Sequence, residues 1–221
     1  MRAIIFGATG MVGQGLLREC LLDLDIEAVL TIGRTPTGQK HPKLRELAHS
    51  NLLDFSAIES DLSGYDACFF CLGISSAGTP EPAYERITYS IPVAAAQTLV
   101  RLNPGMTFVY VSGRGADSSE KSSTMWARIK GKAENALLAM PFKATYVFRP
   151  AFIQPLHGIR SRTKIYNLLY VVFRPMVPLL KAIAPGSVTT TQQLGQAMIA
   201  VAKHGAPKRV MESADISRFG A

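Results

Sequence analysis

The chain is poor in cysteine, with three among 221 residues: Cys20, Cys68 and Cys71. So small and odd a number argues against a disulfide-framed secreted scaffold and suits a reducing compartment, so a cytoplasmic protein is expected. No run of about 18 apolar residues is present, and no transmembrane helix is expected. The apolar run after Met1 stops at Gly7, too short for the core of a secretory signal. Acid is also missing over a long stretch, with no Asp or Glu between Glu134 and Glu212. Residues 1–140 carry 13 basic and 14 acidic side chains, whereas residues 141–221 carry 11 and 2. A generic soluble surface mixes signs. The C-terminal part is therefore expected to face something anionic: a phosphate-bearing ligand, a membrane surface or nucleic acid.

What is present suits a packed domain. Apolar residues make up 48% and charged residues 18%, which excludes a disordered chain. The length fits one domain, 1–221, with a small appendage. Cys68 and Cys71 form a C-x-x-C, but they lie in the strand-like run Ala67 to Leu72, where residues three apart point to opposite faces. No second C-x-x-C or C-x-x-H completes a zinc site, so no metal is expected.

Apolar runs and helical patterns alternate along the chain. Arg2 to Phe6 reads as a buried strand and Met11 to Leu22 as a helix. Strands are predicted over Glu27–Ile32, His49–Leu53, Asp66–Leu72, Met106–Val111 and Ala144–Phe148. Helices are predicted over Ile91–Leu102, stopped by Asn103-Pro104-Gly105, and over Thr124–Ala139, with cap candidates at Ser122 to Thr124. This alternation is the signature of an α/β fold, a doubly wound parallel sheet of the Rossmann type. From Ala151 onward the pattern changes. Two helices, Arg162–Phe173 and Thr189–Ala202, are read as a small C-terminal helical cap on the sheet edge.

The sharpest motif is Gly7-Ala8-Thr9-Gly10-Met11-Val12-Gly13, a G-x-x-G-x-x-G placed after a strand and opening a helix. Gly7 permits the tight turn, Gly10 lets backbone approach a pyrophosphate, and Gly13 allows close helix–strand packing. The helix N-terminus then faces the phosphates. A dinucleotide is the expected cofactor, with Gly7, Thr9, Gly10, Met11, Val12 and Gly13 around it. An NAD-preferring site usually places an acid at the end of strand two. Here Arg34 stands there, and a guanidinium pairs with a 2′-phosphate that a carboxylate would repel. NADP(H) is therefore expected over NAD(H). Asp54, after the predicted third strand, is a candidate partner for the adenine amino group, or simply the N-cap of a short helix near Ser56.

Several blocks together resemble the short-chain dehydrogenase/reductase superfamily in its extended and atypical branches. They are the glycine loop, Cys71-Leu72-Gly73, the stretch Val111 to Asp117 (V-S-G-R-G-A-D), Lys130-Gly131-Lys132-Ala133-Glu134 and Phe148-Arg149-Pro150. The order is similar to that in the group of Tat-interacting oxidoreductase-like and NmrA-like proteins, over about residues 1–155. The resemblance implies an NAD(P)-dependent oxidoreductase or epimerase-like protein, with Cys71, Leu72 and Gly73 beside the cofactor. Pro150, Ala151 and Phe152 would lie near its carboxamide. It also implies a Ser–Tyr–Lys group, in which Ser112 polarises a carbonyl and Lys130 holds the ribose. The Tyr place is taken by Trp126, whose indole N–H donates only and does not titrate usefully. Three readings stay open. Another acid could serve, such as Tyr110, Tyr89 or a bound water; Tyr110 shares a strand face with Ser112. The protein could bind cofactor without turnover, as a redox or nucleotide sensor. Or Trp126 could wall the pocket while Lys130 still holds the ribose.

The segment His157 to Lys181 combines Arg160, Arg162, Lys164, Arg174 and Lys181 with an apolar run. The resemblance implies a substrate lid here, and the charge suits a small phosphate-bearing or otherwise anionic substrate. A dimer or partner surface ranks second and a peripheral membrane contact third, since Pro175 and Pro178 break any long helix. Nucleic acid is not expected, because the charges join no recognisable reading module. His157 lies nearest the expected site, but a lone loop histidine is more often solvated.

Overall fold

A computed structural model describes residues 1–159 and 188–219. The predicted helix Arg162–Phe173 and most of the basic segment lie outside them. The architecture is a seven-stranded sheet whose strands, all parallel, run in the order β3-β2-β1-β4-β5-β6-β9. These strands are β1 (Arg2–Phe6), β2 (Ala28–Gly33), β3 (Leu44–Ala48), β4 (Ala67–Phe70), β5 (Thr107–Val111), β6 (Ala144–Arg149) and β9 (Val210–Glu212). The inner strands are buried on both faces, which is why they read as continuous apolar runs.

Two helical layers cover the sheet. On one face lie α3 (Ile91–Leu102) and α4 (Met125–Leu138), together with a 3-10 turn at Ser56–Asp61. They bury Ile58, Ala95, Leu99, Ala133 and Leu137 against Phe6, Phe70 and Phe108. On the other face lie α1 (Met11–Leu22), α5 (Thr191–His204) and α6 (Ser213–Phe219). Their Leu16, Leu17, Leu194, Met198 and Ile216 close over Ile5, Phe69 and Phe148. Cys68 joins the first core, whereas Cys71 packs against the second, so the two thiols do face opposite ways.

Three expectations are corrected. Strand three lies at Leu44–Ala48, five residues before the predicted position. It is an edge strand, half exposed, so its apolar alternation is weak, while His49 to Leu53 forms the turn after it. The helical layer before α3 begins earlier than predicted, with α2 at Glu81–Glu85 and a π-helical turn at Arg86–Ser90. Pro80 and Pro82 masked this start, although Pro fits the first helical turn, whose N–H groups have no helical partner. The C-terminal part is more than a helical cap. β9 adds a strand beside β6, and α5 fills one helical layer against α1. Small residues permit that contact: a Cβ at Gly195 would lie 3.2 Å from the Leu16 Cα. A short two-stranded sheet, β7 (Phe152–Gln154) with β8 (Val188–Thr190), stands apart from the main one.

Candidate functional site

The crevice lies at the carboxyl ends of β1 and β4, where the strand order reverses from β1-β2-β3 to β4-β5-β6, as expected for a ligand site in an open α/β sheet. Gly7 turns the chain out of β1 with φ +79°, and a Cβ there would lie 2.7 Å from the Leu72 backbone nitrogen. Gly13 passes so close to Gly7 that a Cβ would fall on the Gly7 carbonyl. The loop is tied by Gly10 N–H donating to Gly7 O at 2.9 Å and by Gln14 Nε2 donating to Thr9 O at 3.0 Å. Gly10 is the N-cap of α1. It supplies no side-chain cap, and the first turn from Met11 and Val12 to Gly13 contains no acid. By contrast α5 caps itself, with Thr190 and Gln193 forming a capping box. The amides of the first turn of α1 are thus left for an outside anion.

A cavity of about 220 Å³ opens beside this loop, lined by Gly7, Thr9, Ile32, Arg34, Thr37, Leu52 and Leu72 among others. Arg34 is exposed at its edge. Glu46 on β3 organises the wall. Its carboxylate accepts from the Thr37 amide at 2.5 Å, the Gly38 amide at 3.1 Å and the Thr31 hydroxyl at 3.4 Å. Burial pushes the Glu46 pKa up, but these hydrogen bonds outweigh it and hold the pKa below the usual value. Asp54 does not line this cavity. It is exposed, and its carboxylate accepts the Ser56 amide at 2.9 Å, which lowers its pKa. The adenine contact expected of it rested on a third strand ending at Leu53. With that strand ending at Ala48, Asp54 serves the turn at Ser56 instead.

The second half of the site is built by the exit of β5 and by α4. Ser112 is buried, and its hydroxyl donates to the Glu134 carboxylate. Glu134, fully buried, is also held by Arg149 through Nε at 3.0 and 3.1 Å and through Nη2. Arg149 reaches Ser118 Oγ at 2.7 Å and Glu212 at 3.3 Å as well. Hydrogen bonding to Glu134 raises the Arg149 pKa. The V-S-G-R-G-A-D, K-G-x-x-E and F-R-P blocks are therefore one ion-pair network. The glycine of K-G-x-x-E lets Asp117 cross α4, since a Cβ at Gly131 would collide with the Asp117 carbonyl oxygen.

Lys130 lies one turn before Glu134, half-buried and alongside Gly113, where a Cβ would sit 3.8 Å from the Lys130 Cε. Burial brings its pKa down to about 8, with Glu134 opposing the shift. Trp126 occupies the preceding turn, and its ring edge would lie 3.1 Å from a Cβ at Gly115. Tyr110 shares the Ser112 face as expected, but it is fully buried. Its hydroxyl donates to Thr88 O at 3.0 Å, and burial raises its pKa well above the ordinary phenol range. This geometry corrects the expectation of a Tyr110 acid, because strand alternation sets direction without setting depth. Tyr89 lies under the Lys132 ammonium, at 4.3 Å from ring centre.

The remaining expected residues fall around this crevice. Cys71 N–H donates to Phe6 O at 2.9 Å, Leu72 packs on Gly7, and Gly73 is exposed. Pro150 O accepts from Arg114 N at 3.1 Å, and Ala151 N donates to Ser213 Oγ at 2.6 Å. The Ala151 amide is thus spent on α6, and Phe152 opens β7. His157 is exposed and bonds Gln192 at 3.0 Å. Glu46, Glu134 and Arg149 are the participants that sequence reasoning missed. Glu134 and Arg149 stood in the quoted blocks, and a charge inside the apolar run Ala144 to Phe148-Arg149 was the available signal.

No family model matches the chain. Among curated proteins it is similar to protein FMP52-2, mitochondrial, of Scheffersomyces stipitis, at 31% identity over 154 residues. That match covers 68% of this chain and 66% of the relative, so it spans just under two thirds of that protein's length. Protein fmp52-1, mitochondrial, of Aspergillus terreus is 30% identical over 169 residues, covering 72% of this chain and 68% of its own. Protein FMP52, mitochondrial, of Debaryomyces hansenii is 27% identical over 207 residues, covering 92% and 87%. Among solved structures, Bordetella bronchiseptica WbmF in complex with NAD+ and UDP superposes with a TM-score of 0.70. The identity is 15%, over 98% of this chain and 76% of that one. A short chain dehydrogenase family protein from Francisella tularensis gives 0.69 at 11% identity, covering 97% and 98%. The fold is thus that of short-chain dehydrogenase/reductase-type Rossmann proteins. The cytoplasmic placement expected from cysteine usage is overturned, because the curated relatives are named as mitochondrial proteins. Few cysteines indicate a reducing environment and do not single out the cytosol.

Proposed function

The chain belongs to the family of the FMP52 proteins, and on that premise we propose that it is an NADP(H)-binding oxidoreductase of the short-chain dehydrogenase/reductase type. The observation that carries this reading is the open glycine loop beside a cavity edged by Arg34. The uncapped first turn of α1 fits a pyrophosphate, and the close packing of Gly7, Gly13 and Leu72 leaves a smooth backbone cradle. Arg34, exposed and without a carboxylate partner among the described residues, suits a 2′-phosphate. The order of the C-L-G, S-G-R-G-A-D, K-G-x-x-E and F-R-P blocks supports a place near the Tat-interacting oxidoreductase-like proteins. The basic stretch 157–181 supports a small anionic substrate.

A bound nicotinamide would supply hydride chemistry, and the chain's own residues would bind, orient and exchange a proton. Ser112, locked to Glu134, holds its oxygen at a fixed place, and the Lys130 stem runs beside the next residue, Gly113. Trp126 packs its ring edge over Gly115.

Titration of NADPH and NADH by cofactor fluorescence, with wild type and Arg34→Ala side by side, tests this reading. NADPH should bind about 10- to 100-fold tighter, as expected for a charge-assisted contact to one phosphate, and Arg34→Ala should erase the preference. Failure to bind either nucleotide would refute it. A second reading, a cofactor-binding regulator without turnover, is favoured by Trp126 at the tyrosine place and by the buried Tyr110 hydroxyl. NADPH binding without oxidation by any carbonyl would support it.

A further inference from the structure

From the surroundings of α4 we infer that the Lys130 ammonium is the proton donor to the substrate oxygen, replacing the tyrosine that Trp126 displaces. This inference rests on the cofactor reading above.

Three observations carry it. The helix position one turn before Lys130, where a phenol would reach the same crevice, holds an indole that cannot release a proton at ordinary pH. The tyrosine of β5 is withdrawn, its hydroxyl given to the Thr88 carbonyl in the core. Lys130 itself forms no hydrogen bond or ion pair among the described residues. Its Nζ lies 5.8 Å from the centre of the Tyr110 ring and its stem runs beside the bare Cα of Gly113. Other cations of the same helix are spent: Arg128 pairs with Glu81 at 2.8 Å and Lys132 with Glu85 at 2.7 Å.

The charges facing Lys130 are few. Glu134 on the same helix favours the ammonium, but this carboxylate is already shared by Ser112 and by Arg149 from β6. From β5 comes the Tyr110 ring, 5.8 Å from Nζ; Glu81 and Glu85 of α2 and Tyr89 of the π turn are engaged by Arg128 and Lys132 instead. Desolvation outweighs Glu134 and leaves the ammonium with a pKa of about 8, close to working pH, where a general acid is most effective.

The step balances. A bound reduced nicotinamide would supply a hydride to the carbonyl carbon, so that the π pair of the C=O bond would move to oxygen. That oxygen takes a proton from Lys130 Nζ, whose N–H bond breaks to leave a neutral amine. Bulk water then returns the proton.

Two readouts test it. In cofactor-free protein, acetylation by acetic anhydride followed residue by residue by mass spectrometry should show Lys130 reacting with a midpoint near pH 8. An unperturbed lysine, with a pKa of about 10.4, reacts only at higher pH. With NADPH and a panel of 4-nitrobenzaldehyde, methylglyoxal and diacetyl, turnover should fall as pH rises through about 8. Lys130→Arg keeps the charge but cannot give up a proton, so it should lose about 100-fold or more in kcat. Trp126→Tyr should carry the falling limb to higher pH, since a phenol holds its proton to about 10. The inference is overturned by a Lys130→Arg variant that keeps turnover and the same limb, or by Lys130 acetylating with the midpoint of an unperturbed lysine, about 10.4. It is also overturned by wild-type protein that binds NADPH yet oxidises it with none of the panel. Absence of NADPH binding would instead strike the cofactor reading.

Discussion

Ser112 gives its hydroxyl hydrogen to Glu134, a carboxylate with no exposed surface that Arg149 clamps from the neighbouring strand. The serine is therefore fixed by a buried ion pair before any substrate arrives. Removing the carboxylate leaves Arg149, only 13% exposed, facing Ser118 and Glu212. Glu134→Ala should cost about 3 kcal/mol or more in urea denaturation, the usual penalty for orphaning a buried charge. The double change Glu134→Leu with Arg149→Met should cost distinctly less, because no unpaired charge remains. Equal losses in the two would dismiss the ion pair as the source.

Gly131 is where the Asp117 backbone crosses α4. The Asp117 carboxylate pins the loop by accepting from the Ser119, Lys121 and Ser122 amides, so the crossing cannot easily shift. Gly131→Ala should therefore destabilise by about 2 kcal/mol or more, although alanine is the better helix former. Thermal unfolding against Ala136→Gly, on the same helix, separates the clash from helix propensity.

The wall of the cavity beside Arg34 should loosen in acid. The Glu46 pKa is depressed in the folded state, so its contribution is present above the ordinary carboxylate value of 4.5 and is lost as pH falls through the lower folded value. The Thr37 and Gly38 amide resonances should titrate together with a midpoint below 4.5, and Glu46→Gln should abolish that titration. Independent behaviour of the two amides would count against a shared clamp.

Gly13→Ala places a methyl on the Gly7 carbonyl. The loop must open, and NADPH affinity should fall by at least about tenfold, while far-ultraviolet circular dichroism stays unchanged. Unaltered affinity would mean that the loop does not form the binding surface.

Much of this was legible in the sequence, for identifiable reasons. β1 and α1 fall where Arg2 to Phe6 and Met11 to Leu22 placed them, because buried parallel strands and amphipathic helices leave strong periodic signals. β3 was misplaced because an edge strand buries little, and Leu44 to Ala48 shows scant alternation. Tyr110 was oriented correctly and assigned wrongly, since period fixes a face and says nothing of depth. The Glu134–Arg149 pairing was harder to read: Arg149 marks itself as a charge closing an apolar run, but its partner sits on a helix 15 residues away, and no local pattern encodes their meeting.

The central claim is that the cavity at the ends of β1 and β2 receives an adenosine bearing a 2′-phosphate on Arg34. Calorimetric titration of the wild-type protein with 2′,5′-ADP and with 5′-AMP addresses this half of the cofactor alone, independent of any turnover. The account predicts that 2′,5′-ADP binds at least about tenfold tighter than 5′-AMP and is displaced by NADPH. Equal affinity for the two would contradict the role given to Arg34, and binding of neither would contradict the cofactor site itself.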